Sequence, residues 1–334
     1  MPTARLQIHG RERPGHRRAT MAREIRAGLA RPPRSIPPKY FYDDAGSRLF
    51  DAICHLPEYY LTRAERSLLE RHAGDVVAWT GAHTLVEIGS GMARKTGLLV
   101  HAMCAAGGEA RYVPFDIAPE AIEASARALL PEHPTLRVHG VVGDFGADLG
   151  AIAQVAPRGN GPRLFAFLGS TLGNLDEREA PALLKAIAAL MQPGERFLLG
   201  VDLVKDTRVL EAAYDDAQGV TAAFNKNVLR VLARELDGDF DPDAFDHRAF
   251  YDAERERIEM HLVARRRHAV RLCAIDLGFQ LAAGEGILTE ISRKFTRATV
   301  ERTLAEAGMT LERWLPADDG AFALALATAG PAPV

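Results

Sequence analysis

The chain carries glycines and acidic residues at places where a backbone turn and a carboxylate could hold a nucleoside. Glu87 precedes Gly89 and Gly91 directly after a short apolar segment. Glycines in such a turn let a ligand lie against the backbone. Asp116 and Asp144 each end a further apolar segment. A carboxylate at such a place can accept hydrogen bonds from both ribose hydroxyls or from an adenine amino group.

The glycine pattern narrows the class of nucleoside. The dinucleotide signature G-x-G-x-x-G is absent because Arg94 occupies the position of the third glycine. An acid just before the first glycine is instead typical of class I methyltransferases, which bind S-adenosylmethionine. Phe145, next to Asp144, could lie along an adenine ring. A nicotinamide oxidoreductase is the alternative from another class, and a helix N-cap is the alternative role for either aspartate.

The segments that carry these residues alternate between strand and helix patterns. Helical patterns follow the first, second and fourth strands. This alternation predicts a parallel sheet with right-handed crossovers. From residue 294 a helix and two further strands close the sheet. The five strands of the alternating part are predicted over 84–88, 111–116, 137–145, 163–171 and 195–203.

Residues 205–293 interrupt this alternation and predict a separate lobe. A helix is expected over 220–238, and paired antiparallel strands over 257–272, where Ile258, Met260 and Leu262 alternate with polar residues. Upstream, apolar spacing from Ala64 to Val77 predicts a helix that begins with a Thr62–Glu65 capping box. The predicted organisation has three parts. They are a methyltransferase domain (63–204 and 294–334), a smaller substrate-binding lobe (36–62 and 205–293) and a basic leader (1–35) that need not be ordered.

Longer motifs support a specific resemblance. Between about residues 37 and 325 the chain contains, in this order, LPEYYLTRAE, LVEIGSGMARKT, VPFDI, GDF, FLGSTLGNL, LLGVDLVKD, AYDDAQGVTAAFNKNVL, ERIEM and LTEISRKF. With these motifs it resembles the histidine-specific, S-adenosylmethionine-dependent N-alpha-methyltransferases of ergothioneine biosynthesis. The resemblance implies an α/β fold, with a Rossmann-like class I methyltransferase sheet and a second, smaller α+β substrate-binding lobe. It also implies that three methyl groups pass, one at a time, to the alpha nitrogen of L-histidine, giving hercynine.

The resemblance also assigns site residues by motif. Asn174 and Tyr214 would hold the amino-acid end of histidine, and Tyr59 and Asn174 are the expected catalytic residues. If their segment is extended, Glu290 and Ser292 share one face and can read the two imidazole nitrogens. The cofactor-binding residues implied are Gly89, Lys95, Asp116, Asp144 and Phe145. The substrate-binding residues implied are Tyr59, Asn174, Tyr214, Glu290 and Ser292.

Charge and cysteine content limit the other function classes. A formal net charge of −3 argues against a surface built for nucleic acid. Residues 1–39, however, hold nine arginines and one lysine against two glutamates, so a non-enzymatic adenosyl-binding regulator or nucleic-acid partner is an alternative. Cys54, Cys104 and Cys273 are too far apart for a metal site or a disulfide framework. We expect a cytoplasmic monomer with no metal, nucleic-acid or membrane partner. The alternative activity is N-methylation of another small aromatic amine or amino acid.

Overall fold

The computed structural model describes residues 5–10, 14–91, 95–156 and 161–330. The chain forms two compact units, and both are discontinuous in sequence. The first unit comprises Met1–Glu12, Leu61–Val204 and Phe295–Val334, and the second comprises Arg13–Tyr60 and Lys205–Lys294. The sequence analysis predicts the corresponding breaks near residues 62, 204 and 293, and the roles assigned there to the two parts stay predictions.

Strands and helices alternate through the first unit, whereas the second unit is richer in antiparallel strands. Within the described residues the strands are β1 (Leu6–His9), β2 (Arg34–Ser35), β3 (Thr84–Ile88), β4 (Ala110–Asp116), β5 (Leu136–Val142), β6 (Arg163–Phe167), β7 (Arg196–Asp202), β8 (Phe245–Asp252), β9 (Arg257–Ala264), β10 (His268–Leu272), β11 (Leu277–Leu281), β12 (Gly286–Arg293), β13 (Met309–Pro316) and β14 (Phe322–Ala329).

The helices of the same residues vary from one turn to twenty residues. They are α1 (Pro14–Leu29), α2 (Asp44–Ile53), α3 (Leu61–Thr80), α4 (Gly97–Ala105), α5 (Pro119–Glu132), α6 (Ile152–Val155), α7 (Glu179–Leu190), α8 (Thr207–Ala212), α9 (Val220–Leu236) and α10 (Arg297–Glu306). Short 3-10 helices cover Pro38–Phe41, Leu149–Ala151, Thr171–Asn174, Pro242–Ala244 and Cys273–Ile275. No helix in this part of the chain is both long enough and apolar enough to cross a membrane.

The first unit is built on an eight-stranded sheet with the order β1-β5-β4-β3-β6-β7-β14-β13. The strands from β1 to β7 in this order are parallel, and β14 runs antiparallel to both β7 and β13. The side chains of β3 and β6 are buried throughout, as a sheet covered on both faces requires. The predicted α/β fold with a Rossmann-like class I methyltransferase sheet is confirmed. Its parallel strands bring the carboxyl ends of β3, β4, β5 and β6 to one edge, where such sheets bind ligands.

The second unit contains a four-stranded sheet with the order β2-β12-β9-β8 and a separate β10–β11 hairpin. The predicted pairing of strands within 257–272 is therefore wrong. β9 pairs with β12 on one side and β8 on the other, and β10 pairs with β11. Both edges of β9 are occupied, so β10 has no place beside it. The alternating pattern identified the strands but could not identify their partners.

The described part of the basic leader contributes two strands, β1 and β2, and one helix, α1. β1 extends the large sheet by parallel pairing with β5. α1 buries Met21, Ile25 and Leu29, which recur every four residues on one helix face. The Arg5 guanidinium donates to the carbonyls of Leu130 (2.9 Å) and His133 (2.7 Å) at the end of α5. In residues 5–10 and 14–35 the leader is thus part of the fold, because a short apolar stripe lies among its arginines.

Candidate active site

The turn after β3 needs its glycines for conformational reasons. Gly89 has φ +68° and Gly91 has φ +49°, in the left-handed region that favours glycine. The Gly89 N–H donates to the carbonyl of Phe115 at 2.8 Å, which ties the turn to the end of β4. Arg94, which the sequence places where a third glycine would stand, lies outside the described residues. The turn thus leaves its backbone close to the edge where the strands end.

Glu87 supports this turn from inside the protein. Its side chain is buried, and its carboxylate accepts hydrogen bonds from the Thr96 hydroxyl, at the start of α4, and from the Tyr112 hydroxyl on β4. Burial raises the pKa of Glu87 from 4.5 to about 7, although these two hydrogen bonds act in the opposite direction. The acid before the first glycine therefore connects β3, β4 and α4.

Asp116, at the end of β4, is held by two backbone donors. One carboxylate oxygen accepts from Gly91 N (2.8 Å) and the other from Ala118 N (2.9 Å). Burial raises the pKa of Asp116, and the backbone hydrogen bonds oppose that rise. A carboxylate has about four acceptor sites, so these backbone donors leave acceptor capacity for a ribose hydroxyl. Asp116 thus caps its own turn and can still accept a hydrogen bond from a ligand hydroxyl.

Asp144 and Phe145 follow β5 in a tight turn. Asp144 Oδ1 accepts from Gly146 N at 2.9 Å, and its own N–H donates to the carboxylate of Asp148 at 2.9 Å. The Phe145 ring is half-buried and meets the ring of Phe167 edge-on, with centroids 6.0 Å apart. This contact places Phe145 next to the end of β6. The expected adenine-binding pair therefore lies at the same sheet edge as Gly89 and Asp116.

Lys95 is paired with a glutamate that the sequence analysis misassigned. Its ammonium forms a salt bridge with Glu65, whose side chain is completely buried. The Glu65 carboxylate also accepts from Gly169 N, at 2.8 and 3.0 Å to its two oxygens. The predicted Thr62–Glu65 capping box is wrong, because α3 already begins at Leu61 and Glu65 binds Gly169 and Lys95. A charged residue within the apolar stripe of α3 was the signal that could have identified Glu65.

Asn174 ends the 3-10 helix that follows β6. This segment starts at Gly169 (φ +76°) and Ser170 (φ +56°), and the Ser170 hydroxyl accepts from Asp202 N at 2.9 Å. Asn174 itself is half-buried. It belongs to the first unit, whereas the other four residues expected to bind histidine belong to the second.

The second unit brings Tyr214 and Ser292 together around a buried lysine. The two hydroxyl oxygens lie 2.8 Å apart. Lys294 Nζ donates to Tyr214 at 3.0 Å and to Ser292 at 2.9 Å, and lies 4.6 Å from the centre of the Tyr214 ring. The sequence analysis missed Lys294, although it continues the two-residue spacing of Glu290 and Ser292.

Tyr59 and Glu290 complete this group. The Tyr59 ring meets the Tyr214 ring edge-on at 6.2 Å. Burial raises the pKa of Tyr59 well above its usual value, and the neighbouring Tyr214 and Glu290 contribute, so its phenol is neutral. Burial also raises the pKa of Glu290 from 4.5 to about 7, while the charge of Lys294 lowers it.

The register of β12 explains how Glu290 and Ser292 come to share a face. Glu290 lies opposite Met260 and Ser292 opposite Ile258, after an irregularity between Leu288 and Glu290. Their side chains therefore leave the strand on the same side, as the sequence predicts for an extended segment. A carboxylate and a hydroxyl on one strand face can bind a ring that carries both a donor and an acceptor.

Comparison with known proteins places this geometry in context. A family model described as "Histidine-specific methyltransferase, SAM-dependent" matches residues 21–329. The chain is 48% identical over 307 residues to a histidine N-alpha-methyltransferase from Mycolicibacterium smegmatis, covering 92% of this chain and 94% of that protein. It is 47% identical over 319 residues to the protein of the same name from Mycobacterium tuberculosis, covering 96% and 97%. Ergothioneine biosynthesis protein 1 of Neurospora crassa is 30% identical over 295 residues, which is 83% of this chain and 31% of that protein.

Proposed function

Because this chain belongs to the family of histidine-specific, S-adenosylmethionine-dependent methyltransferases, we propose that it methylates the alpha-amino nitrogen of L-histidine. The proposed reaction repeats three times and yields hercynine for ergothioneine biosynthesis. The names of the mycobacterial and fungal relatives support this choice of nitrogen and of pathway. The observation that carries the substrate proposal is the pair Glu290 and Ser292 on one face of β12.

The cofactor proposal rests on the sheet edge of the first unit. S-adenosylmethionine supplies an electrophilic methyl group on a sulfonium. Asp116 would accept from the ribose hydroxyls, since its backbone donors leave acceptor capacity on the carboxylate. Asp144 and Phe145 would bind the adenine, and the turn at Gly89 would lie against the amino-acid part. Lys95, a cation, would bind an anionic group such as the carboxylate of that part.

The substrate proposal uses the chemistry of free histidine. Its neutral imidazole has one N–H donor and one acceptor nitrogen. Glu290 would accept from the N–H, and Ser292 would bind the acceptor nitrogen. Tyr214 and Asn174 would hold the amino-acid end by hydrogen bonds. A substrate that lacks either imidazole nitrogen leaves a buried polar group of the protein unpaired, which costs about 1–3 kcal/mol.

Methyl transfer needs a neutral amine, because the attacking nitrogen must present a lone pair. An alpha-amino group with a pKa of about 8 leaves a usable neutral fraction at pH 7. The raised pKa of Tyr59 keeps its phenol protonated, so Tyr59 would orient the amine by a hydrogen bond rather than remove its proton. Its aromatic ring would also favour the growing cation. Catalysis would then depend mainly on holding nitrogen, methyl carbon and sulfur in line.

The alternative is N-methylation of another small aromatic amine or amino acid, such as a tryptophan derivative. An indole has one N–H and no acceptor nitrogen in its ring. It could pair with Glu290 but would leave the Ser292 hydroxyl without a ring partner. The geometry of β12 therefore favours histidine.

Mass spectrometry of the products tests the proposal directly. Histidine incubated with the protein and excess S-adenosylmethionine should gain three methyl groups, and fragmentation should locate all of them on the alpha nitrogen. Parallel incubations with tryptophan and with histamine, which lacks the carboxylate, serve as controls and should give little product. Methylation of the imidazole ring, or no change in the mass of histidine, would refute the proposal.

A further inference from the structure

A buried cation lies in the second unit and has no role in the reaction described above. Lys294 is only 2% exposed, and its ammonium donates to the hydroxyls of Tyr214 (3.0 Å) and Ser292 (2.9 Å). Lysines are almost never fully buried unless they are paired, because the loss of hydration must be offset by other interactions. Such a residue next to two expected histidine-binding groups indicates a function in that site.

The ammonium determines the direction of the hydrogen bonds around it. It has three donors and no acceptor, so both hydroxyl oxygens accept from it. The two hydroxyls are themselves 2.8 Å apart, so one donates to the other. The geometry allows either hydroxyl to donate. A phenol is the stronger acid and hence the better donor, which favours the arrangement in which Tyr214 donates to Ser292. In that arrangement both lone pairs of the Ser292 oxygen accept hydrogen bonds, and its own hydrogen points to a further acceptor.

We propose that Lys294 is a positioning residue that fixes Ser292 as a hydrogen-bond donor, so that the site selects the neutral imidazole of histidine. The acceptor nitrogen of the ring binds Ser292, and the ring N–H binds Glu290. An imidazolium offers two donors and no acceptor, and its charge would lie near that of Lys294. This inference rests on the proposed function, because it assumes that Glu290 and Ser292 bind the ring.

The charges around Glu290 agree with this arrangement. Lys294 is the cation that lowers the pKa of Glu290 against the effect of burial, which increases the ionised fraction of this carboxyl group near neutral pH. Tyr59 also interacts electrostatically with Glu290, and its phenol is neutral. The residue opposite Glu290 on β9 is the apolar Met260. On the same strand Glu259 is already paired with Arg257 and His261.

Calorimetric titration with histidine, in the presence of S-adenosylhomocysteine, tests the inference between pH 6 and 8. The wild type should bind more tightly as the pH rises, because the ring and Glu290 both lose a proton. Lys294→Met should weaken histidine binding at pH 8 by about tenfold to a hundredfold. The pH at which the histidine affinity reaches half of its total change should also move upward in this variant, because Glu290 loses the cation that favours its ionised form.

The matched control is Lys205→Met in the same unit. Lys205 also donates to a tyrosine hydroxyl, that of Tyr60, at 2.7 Å, and lies 4.6 Å from the centre of that ring. This variant should keep the pH midpoint of the wild type. Lys294→Arg retains a cation with several donors and should keep most of the preference for the neutral ring.

A second ligand separates recognition from a structural effect. A histidine analogue with a pyrrole ring keeps one N–H but has no acceptor nitrogen. The wild type should bind histidine at least about tenfold more tightly than this analogue. In Lys294→Met the ratio of the two dissociation constants should be smaller, because Ser292 is no longer restricted to donating.

The inference would be overturned if Lys294→Met kept both the pH midpoint of histidine binding and the affinity ratio between histidine and the pyrrole analogue. It would also be overturned if the wild type bound histidine more tightly at pH 6 than at pH 8. The wild-type pH dependence can still overturn the inference if Lys294→Met does not fold, and Lys294→Arg then tests the residue itself. Failure of the wild type to bind histidine at any pH would instead refute the proposed function.

Discussion

Substitution of Glu65 offers a sharp test of how the first unit organises the cofactor and substrate residues. Its carboxylate joins Lys95, expected to bind S-adenosylmethionine, to Gly169, which starts the segment that ends at Asn174. Glu65→Gln retains one carbonyl oxygen for Gly169 N but removes the charge that pairs with Lys95. We expect lower stability and weaker binding of S-adenosylhomocysteine in this variant.

The structure sets the size of the effect. Breaking a fully buried ion pair costs about 3–5 kcal/mol. The Lys95 side chain is 22% exposed and can be partly rehydrated, so Glu65→Gln should cost less, about 1–3 kcal/mol. Glu65→Ala also removes the acceptor of the Gly169 N–H, which should add about 1–3 kcal/mol. The free energy of unfolding should therefore be highest for the wild type, lower for Glu65→Gln and lowest for Glu65→Ala.

Gly200 on β7 provides an independent perturbation of the same carboxylate. A Cβ atom at Gly200 would lie 1.9 Å from Oε1 of Glu65 and 3.1 Å from its Cδ. Gly200→Ala should therefore displace the carboxylate and destabilise the wild type by several kcal/mol. In the Glu65→Ala background the clash with the carboxylate is absent and only a 3.3 Å approach to Cε1 of Phe322 remains, so the same substitution should cost less.

Urea unfolding of the four proteins in this double-mutant cycle measures the coupling between the two positions. Calorimetry with S-adenosylhomocysteine measures the effect on the ligand site, and Lys185→Met, an exposed lysine on α7, serves as the control for loss of one positive charge. If the two substitutions were additive, or if Glu65→Gln matched the wild type in both assays, Glu65 would not hold this site together.

Three further outcomes follow from the site. Asp116→Ala should weaken S-adenosylhomocysteine binding about tenfold to a hundredfold by calorimetry, and an unchanged dissociation constant would show that Asp116 only caps its turn. Glu290→Ala should weaken histidine binding while leaving cofactor affinity nearly intact, and should narrow the preference for histidine over phenylalanine in a competition assay. A retained preference would place imidazole recognition elsewhere. Because burial raises the pKa of Glu87 and of Glu290 from 4.5 to about 7, the folded state binds more protons than the unfolded state in that interval. The contribution of these two carboxyl groups to the free energy of unfolding is thus fully present below about pH 4.5 and is lost as the pH rises through 7. The unfolding free energy of the wild type relative to Glu290→Gln should fall between pH 5 and 8, and a constant difference would contradict this assignment.

The strands that carry the cofactor residues could be predicted from the sequence because their signals are local. β3 coincides with the predicted strand 84–88, and Asp116 is the last residue of β4, as expected. Each strand is a short buried run that ends in a turn, so its limits depend on neighbouring residues. The predicted ends of the third and fourth strands, 145 and 171, are too late, because the chain already turns after Val142 and Phe167.

The errors share a non-local cause. Glu65 fits a capping box by spacing, but its partners Lys95 and Gly169 lie 30 and 104 residues away in the chain. The pairing of β9 depended on β12, which begins after a further hairpin. Lys294 was missed because its burial follows from Tyr214, 80 residues earlier. The resemblance supplied the site residues, whereas the groups that orient them became visible only through their contacts.

The discontinuity of both units has a consequence for the order in which the protein can fold during synthesis. β2 pairs with Ile287 and Leu288 of β12, although its own residues are Arg34 and Ser35. At 5–20 residues per second, a ribosome needs roughly 10–50 s to make the intervening chain. During that interval β2 lacks the strand with which it pairs, so the second unit cannot complete its four-stranded sheet. The large sheet is likewise incomplete until β14 enters between β7 and β13. Both units can therefore complete their sheets only near the end of translation.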